Sequence, residues 1–168
     1  MLTVRDLCAA DVSAIPEIAG GPAWRGGATK WSRYWREHQS GVRVSLVAVD
    51  AGEIAGYGSL VWRSQHAPFA VAGIPEIQDM VVAECGRNRG IASAMIAAFE
   101  RRAAGAAQER IAIGFGLYGD YGAAQRLYVQ LGYVPDGGGV TWNNKPVAGG
   151  DTVRVDDDLV LWLSKSIA

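Results

Sequence analysis

The chain has 168 residues, 49% hydrophobic and 20% charged, a balance that suits one globular domain (residues 1–168) with a core of ordinary size. Its formal net charge of −1 gives no broad basic field for nucleic acid or an anionic membrane, so neither is expected as a partner. Cys8 and Cys85 lack CxxC spacing and give no zinc ligand set and no disulfide framework; a single disulfide between them is the alternative to the reduced, cytoplasmic protein that is expected.

Residues 2–7 read as a short strand that meets charge at Arg5 and Asp6, unlike a signal peptide. Asp11 is placed to cap a helix over 12–19, with Pro16 inside it. Gly20-Gly21-Pro22 follows, then a second helix near 31–38. Trp24, Trp31, Tyr34 and Trp35 crowd this region, either as core aromatics or as the walls of a substrate-binding flap. Residues 42–49 and 53–62 are rich in β-formers and separated by Asp50-Ala51-Gly52, a hairpin signature. Residues 63–73 read as a loop and 74–83 as a strand.

From Gly90 the pattern turns helical, with Ile91, Ala94, Met95, Ala98 and Phe99 on one face and Gly105 as the stop. Residues 110–116 alternate Ile111, Ile113 and Phe115 with Ala112, Gly114 and Gly116, which describes a strand with one bulky and one bare face. The bare face leaves room for a ligand or permits close helix packing. A helix over 122–131 stops at Gly132, and Tyr133-Val134 begins a strand turned by Asp136-Gly-Gly-Gly139. Asn143-Asn144-Lys145-Pro146 reads as part of a long loop, and 159–163 as the closing strand. No apolar run approaches the roughly 20 residues of a membrane-spanning helix, so no membrane partner is expected.

The sharpest signal is Val82-Ala-Glu-Cys-Gly-Arg87-Asn88-Arg89-Gly90-Ile91-Ala92. A strand enters a basic, glycine-containing turn, and the turn opens a helix. The first helical turn leaves backbone N–H groups unpaired and carries partial positive charge, so it suits a pyrophosphate. Gly90 presents no side chain to an approaching anion, and Arg87 and Arg89 add charge. The alternative is a solvated loop. Neither GxxxxGK(S/T) nor GxGxxG is present.

Arg87-x-x-Gly90-x-Ala92 resembles the Gln/Arg-x-x-Gly-x-Gly/Ala motif of the GNAT acetyltransferases, in the strand-then-helix context that motif requires. Ala124-Gln-Arg-Leu127-Tyr128-Val-Gln-Leu131-Gly132-Tyr133 resembles the family's Ala-x-x-Leu-Tyr-x-x-x-Gly-Phe/Tyr segment. The similarity covers residues 42–135. It implies an α/β fold of GNAT type, a central mixed six- to seven-stranded sheet with helices on both faces. It also implies transfer of an acetyl group from acetyl-CoA to a primary amine, with no metal. The acceptor is a small molecule or a peptide amine. A homodimer is compatible with the resemblance and is not visible in the sequence.

The resemblance further assigns residues. The backbone N–H of Met80 would face the thioester carbonyl, and Val81 and Val82 would lie along the pantetheine. Arg87, Asn88, Arg89, Gly90, Ile91 and Ala92 would hold the pyrophosphate through main-chain amides, with the Ser93 hydroxyl beside them. Tyr128 takes the general-acid position, because a phenol of reference pKa about 10 is protonated at neutral pH. The alternative for Tyr128 is a core tyrosine. Glu76, eleven residues before Arg87, matches the interval of the catalytic glutamate in one branch of the family. It is the candidate base or else a solvent-facing strand residue; Asp79 is the fallback, on the face opposite Met80 by strand alternation. One position departs from the family pattern. Tyr121 stands where the family often has a cofactor-binding asparagine, so Tyr121 is assigned to the cofactor or, with Tyr118, to the acceptor pocket.

Asp156-Asp157-Asp158 reads as a solvated turn, since no other ligand spacing accompanies it. His38 and His66 read as isolated, and Cys85 as a bystander. Two other readings are a non-catalytic acyl-CoA-binding regulatory module and a transferase of a longer acyl group.

Overall fold

The structure, a computed structural model, describes residues 1–17 and 27–168. The Gly20-Gly21-Pro22 stretch, Trp24 and the end of the first expected helix lie outside the described residues. The elements run β1 (Thr3–Asp6), α1 (Ala9–Glu17), α2 (Gly27–Gln39), β2 (Arg43–Asp50), β3 (Glu53–Val61), α3 (Ala67–Ala72) and β4 (Glu76–Val82). They continue with α4 (Ile91–Gly105), β5 (Arg110–Gly116), α5 (Gly122–Gln130), β6 (Val134–Trp142), β7 (Lys145–Pro146) and β8 (Leu159–Ser166). None of the helices among the described residues is long and apolar enough to cross a membrane.

The chain divides into two compact units, Met1–Trp62 with Ile77–Arg102, and Arg63–Glu76 with Ala103–Ala168. In the first, strands neighbour one another in the order β1-β2-β3-β4. The β2–β3 hairpin turns on Ala51 (φ 53) and Gly52 (φ 89), two positive-φ residues in the place a two-residue hairpin loop demands. Alternation along β3 then assigns its two faces. Tyr57 joins Leu7, Ile15, Trp31, Tyr34, Val47 and Ala83 in a core cluster beneath α1 and α2. Gly56 and Gly58 face α4, where an added Cβ at Gly58 would come within 3.2 Å of Phe99 and of Met80. Helices therefore cover both faces of this unit's strands, and the glycines set how closely α4 approaches.

Asp11 caps α1 differently from the sequence reading. It lies inside the helix and reaches back, its Oδ2 accepting the Cys8 backbone N–H at 2.8 Å, while both carboxylate oxygens accept from Arg5 at 2.7 and 2.9 Å. That is the third-residue half of a capping box.

In the second unit the strand order is β5-β8-β6-β7. β5 and β8 are antiparallel, with Gly114 opposite Trp162 and Gly116 opposite Val160. Phe69, Ile74, Ala112 and Trp162 form the core cluster. Four expectations are corrected here. Residues 63–73 contain α3, started by a proline in its first turn and ended by Gly73 in the left-handed region (φ 67). Residues 136–139 do not end a strand: β6 continues to Trp142, and the glycines are absorbed in an irregularity between Pro135 and Val140. Asn143 (φ 49) and Asn144 (φ 59) make a tight turn into β7, so the strand count among the described residues is eight. The last strand is longer than expected, running to Ser166.

Candidate functional site

In the first unit, β4 leads through a 3-10 turn at Glu84–Gly86 into the start of α4. Asn88 (φ 60) and Gly90 (φ 77) both adopt left-handed backbone, so the chain bends sharply before Ile91. Arg87, Asn88, Arg89 and Gly90 are exposed, while Ile91 is buried and anchors the helix. A Cβ built on Gly90 would meet nothing within 4 Å, so glycine is required there by backbone conformation and not by packing. An exposed turn with two left-handed residues, ahead of the unpaired amides of a helix fifteen residues long, fits a pyrophosphate. The two arginines differ: Arg89 Nη2 is 2.6 Å from Asp50 Oδ2, whereas Arg87 lies 3.7 Å from Glu84. Ala92 and Ser93, in the first turn of α4, are half-buried.

On β4, Asp79 has φ 50. Asp79 and Met80 nevertheless face opposite ways, as strand alternation predicts, Asp79 toward α2 and Met80 toward the Gly58 face of β3. Met80 packs toward Gly58, and Val81 packs against the core cluster under α1 and α2. The Asp79 carboxylate is 2.5 Å from Lys30 Nζ and accepts the Tyr34 hydroxyl at 3.2 Å. Burial first, and Asp79 second, raise the Tyr34 hydroxyl above its ordinary range. Trp31 and Tyr34 are buried core aromatics; the Trp31 Nε1 has no hydrogen-bond partner among the described residues.

In the second unit, Tyr128 sits on α5 and is buried, its ring 6.2 Å from that of Phe115 and 6.3 Å from that of Tyr133. Burial pushes its phenol up to about 12, so the neutral, proton-carrying form persists through the physiological range. Glu76 is only 4% exposed, which removes the solvent-facing alternative. Its Oε2 accepts the Ser64 hydroxyl at 2.5 Å, and Ser64 Oγ also accepts the His66 backbone N–H. His66 is not isolated. Its Nε2 lies 2.8 Å from Asp136 Oδ2, and its ring stacks on Trp162 at 4.6 Å.

The bare face of β5 is filled by aromatic side chains. A Cβ on Gly114 would come within 2.8 Å of the Trp162 ring, and one on Gly116 would overlap the ring of Tyr121. The Tyr121 hydroxyl donates to Asp157 Oδ1 at 3.1 Å, and Tyr118 donates to the same oxygen. That hydrogen bond is the first cause raising the Tyr118 phenol to about 12; burial leads in raising Tyr121. Residues 156–158 form the expected turn, with Asp157 and Asp158 exposed; within it Asp157 anchors both tyrosines, and Asp156 accepts from Trp142 Nε1 at 3.2 Å. No group of three or more metal-ligating side chains occurs among the described residues, and both cysteines are free and exposed.

Sequence reasoning missed Lys30, Tyr57, Ser64, His66, Asp136 and Asp157. Lys30 and Tyr34, one helical turn apart, were legible as neighbours; the partners brought by other strands and loops were not.

A family model described as acetyltransferase (GNAT) domain matches residues 41–135. No curated protein matches the sequence. An N-acetyltransferase from Staphylococcus aureus Mu50 superposes with a TM-score of 0.75 at 14% identity, over 100% of this chain and 99% of that one. The Salmonella typhimurium acetyl transferase that modifies the N-terminal serine of ribosomal protein L7/L12 gives 0.73 at 16% identity, over 99% and 95%. The yncA protein of Salmonella typhimurium, determined with its cofactor acetyl-CoA, gives 0.69 at 18% identity, over 99% and 94%. At these identities the likeness is one of fold.

Proposed function

Because the chain belongs to the GNAT acetyltransferase family, a class of acetyl-CoA-dependent N-acetyltransferases, we propose that it moves the acetyl group of acetyl-CoA to a primary amine by direct attack in a ternary complex. The observation that carries this reading is the Arg87–Gly90 turn, whose two left-handed residues present an exposed backbone at the start of α4 inside the family-matched segment. The amides from Arg87 to Ala92, with the Ser93 hydroxyl, hold the pyrophosphate, and Arg87, in a loose 3.7 Å ion pair with Glu84, supplies a guanidinium.

The Met80 N–H donates to the acyl oxygen as negative charge builds there, and Val81 and Val82 guide the pantetheine. Tyr128, kept protonated at neutral pH by burial, holds its proton for the departing sulfur. Glu76 takes the proton lost by the amine, through Ser64 or water, since its carboxylate is buried and bound to that hydroxyl. Tyr121 serves the cofactor or acceptor from its anchor on Asp157. The acceptor is a small-molecule or peptide amine. The neighbours that modify spermidine, aminoglycosides and a ribosomal protein share the fold and mark that range.

The test is turnover. Purified protein with acetyl-CoA and a panel of primary amines should release free CoA and form the N-acetyl product. A chain that binds acetyl-CoA and acetylates no amine would contradict the proposal.

A further inference from the structure

Lys30 Nζ lies 5.2, 5.4 and 5.1 Å from the ring centroids of Trp31, Tyr34 and Tyr57. The rings brace one another edge-on, Trp31 to Tyr57 at 4.6 Å and 88°, and Trp31 to Tyr34 at 5.6 Å and 77°. The fourth wall is the Asp79 carboxylate, 2.5 Å from the same nitrogen, and Tyr57 Oη is 3.4 Å away. Three aromatic faces and one carboxylate around a single ammonium make a cation cage. It is partly open, with the Lys30 side chain 16% and the Asp79 side chain 30% exposed. Asp79 reaches it from a left-handed backbone position (φ 50) in β4, immediately before Met80, and such strain concentrates where function over-determines the geometry.

The Lys30 ammonium has the chemistry of a primary alkylammonium ligand. A carboxylate and three ring faces attract a cation, and an ammonium has no lone pair with which to attack a thioester. The cage therefore suits an amine that is recognised, not one that reacts. Resting on the transferase reading above, we propose that the acceptor is a diammonium compound, one charged nitrogen displacing Lys30 from the Trp31–Tyr34–Tyr57–Asp79 cage while the second nitrogen is acetylated. Lys30 is the internal occupant that the acceptor must displace. The reacting nitrogen first gives up one proton to become a neutral amine; in the transfer the N–C(acyl) bond forms, the C–S bond breaks, the nitrogen loses its second proton and the sulfur gains one, so one proton in all is released to solvent.

Two measurements test this. In the first, wild-type protein with acetyl-CoA is given 1,4-diaminobutane, 1,6-diaminohexane or n-butylamine. At least one diamine should exceed n-butylamine in kcat/KM by tenfold or more, with n-butylamine acting as an inhibitor of diamine acetylation. Equal kcat/KM values would overturn the proposal. In the second, n-butylammonium, which mimics the lysine tip, is titrated calorimetrically into wild type, Lys30→Met and the Lys30→Met/Asp79→Asn double variant. Lys30→Met should bind at least tenfold more tightly than wild type, and the double variant should lose that gain; one affinity for all three overturns the cage. Acetyl-CoA titration of the same samples separates the two readings. Tight n-butylammonium binding in Lys30→Met without acetylation of any amine would sink the acceptor assignment together with the transferase reading. Turnover with no preference for diamines would sink the diammonium acceptor alone.

Discussion

Burial keeps the Tyr128 phenol protonated, which the proposed acid role requires. With its phenol held near 12, ionisation of this residue produces no alkaline loss of activity below about pH 11. Replacing it with phenylalanine should lower kcat by about 10²-fold or more while the Kd for acetyl-CoA changes by less than twofold, read by steady-state kinetics and calorimetry. Equal losses in both would make the phenol a packing group. Glu76 was legible in the sequence by its interval from Arg87, but the Ser64 hydroxyl that binds its carboxylate was not, because that contact depends on how residues 63–66 lead into α3. Glu76→Gln should suppress kcat/KM most at low pH, where less of the amine is already neutral; a pH profile parallel to wild type would take Glu76 out of the proton path.

At the scale of elements, two contacts give stability predictions. Burial works to raise the Asp11 carboxyl, but hydrogen bonds from Arg5 and Cys8 outweigh it and hold it below the ordinary aspartate value. A depressed folded pKa means the contribution is complete above about pH 4 and disappears as pH falls through the lower folded value. Asp11→Asn should therefore cost about 1–2 kcal/mol at pH 7, and the gap to wild type should close in acid, measured by urea unfolding at several pH values. Gly58 faces α4 with Phe99 3.2 Å from where a Cβ would sit. Gly58→Ala should cost about 1–3 kcal/mol by overpacking, a fall in Tm of several degrees by calorimetry. An unchanged Tm would show that α4 yields without cost. The α4 periodicity was plain in the sequence because its buried face repeats at helical spacing. The glycines that receive it sit in β3, and nothing in their own segment reveals what packs there.

Across the whole chain, the order of elements was legible wherever hydrophobic period and turn chemistry agreed, as in the β2–β3 hairpin, α4, β5 and α5. It failed where a short element lacked a period, as in α3 and β7, and where glycines in 136–139 imitated a turn inside a continuous strand. The Arg87–Gly90 turn, proposed to hold the cofactor, was legible in the local sequence because its features are local: a basic bend and the first amides of one helix. The aromatic cage and the Asp157 anchor join residues distant in the chain, and only the folded chain assembles them. Calorimetric titration of acetyl-CoA into the purified protein and into Gly90→Val tests the central claim most directly, since valine resists the left-handed backbone that residue 90 adopts (φ 77). We predict single-site binding with a Kd of about 1–100 μM for the native chain and at least a tenfold loss in the variant. No heat with either protein, or equal affinity in both, would contradict the assignment of the pyrophosphate to the start of α4.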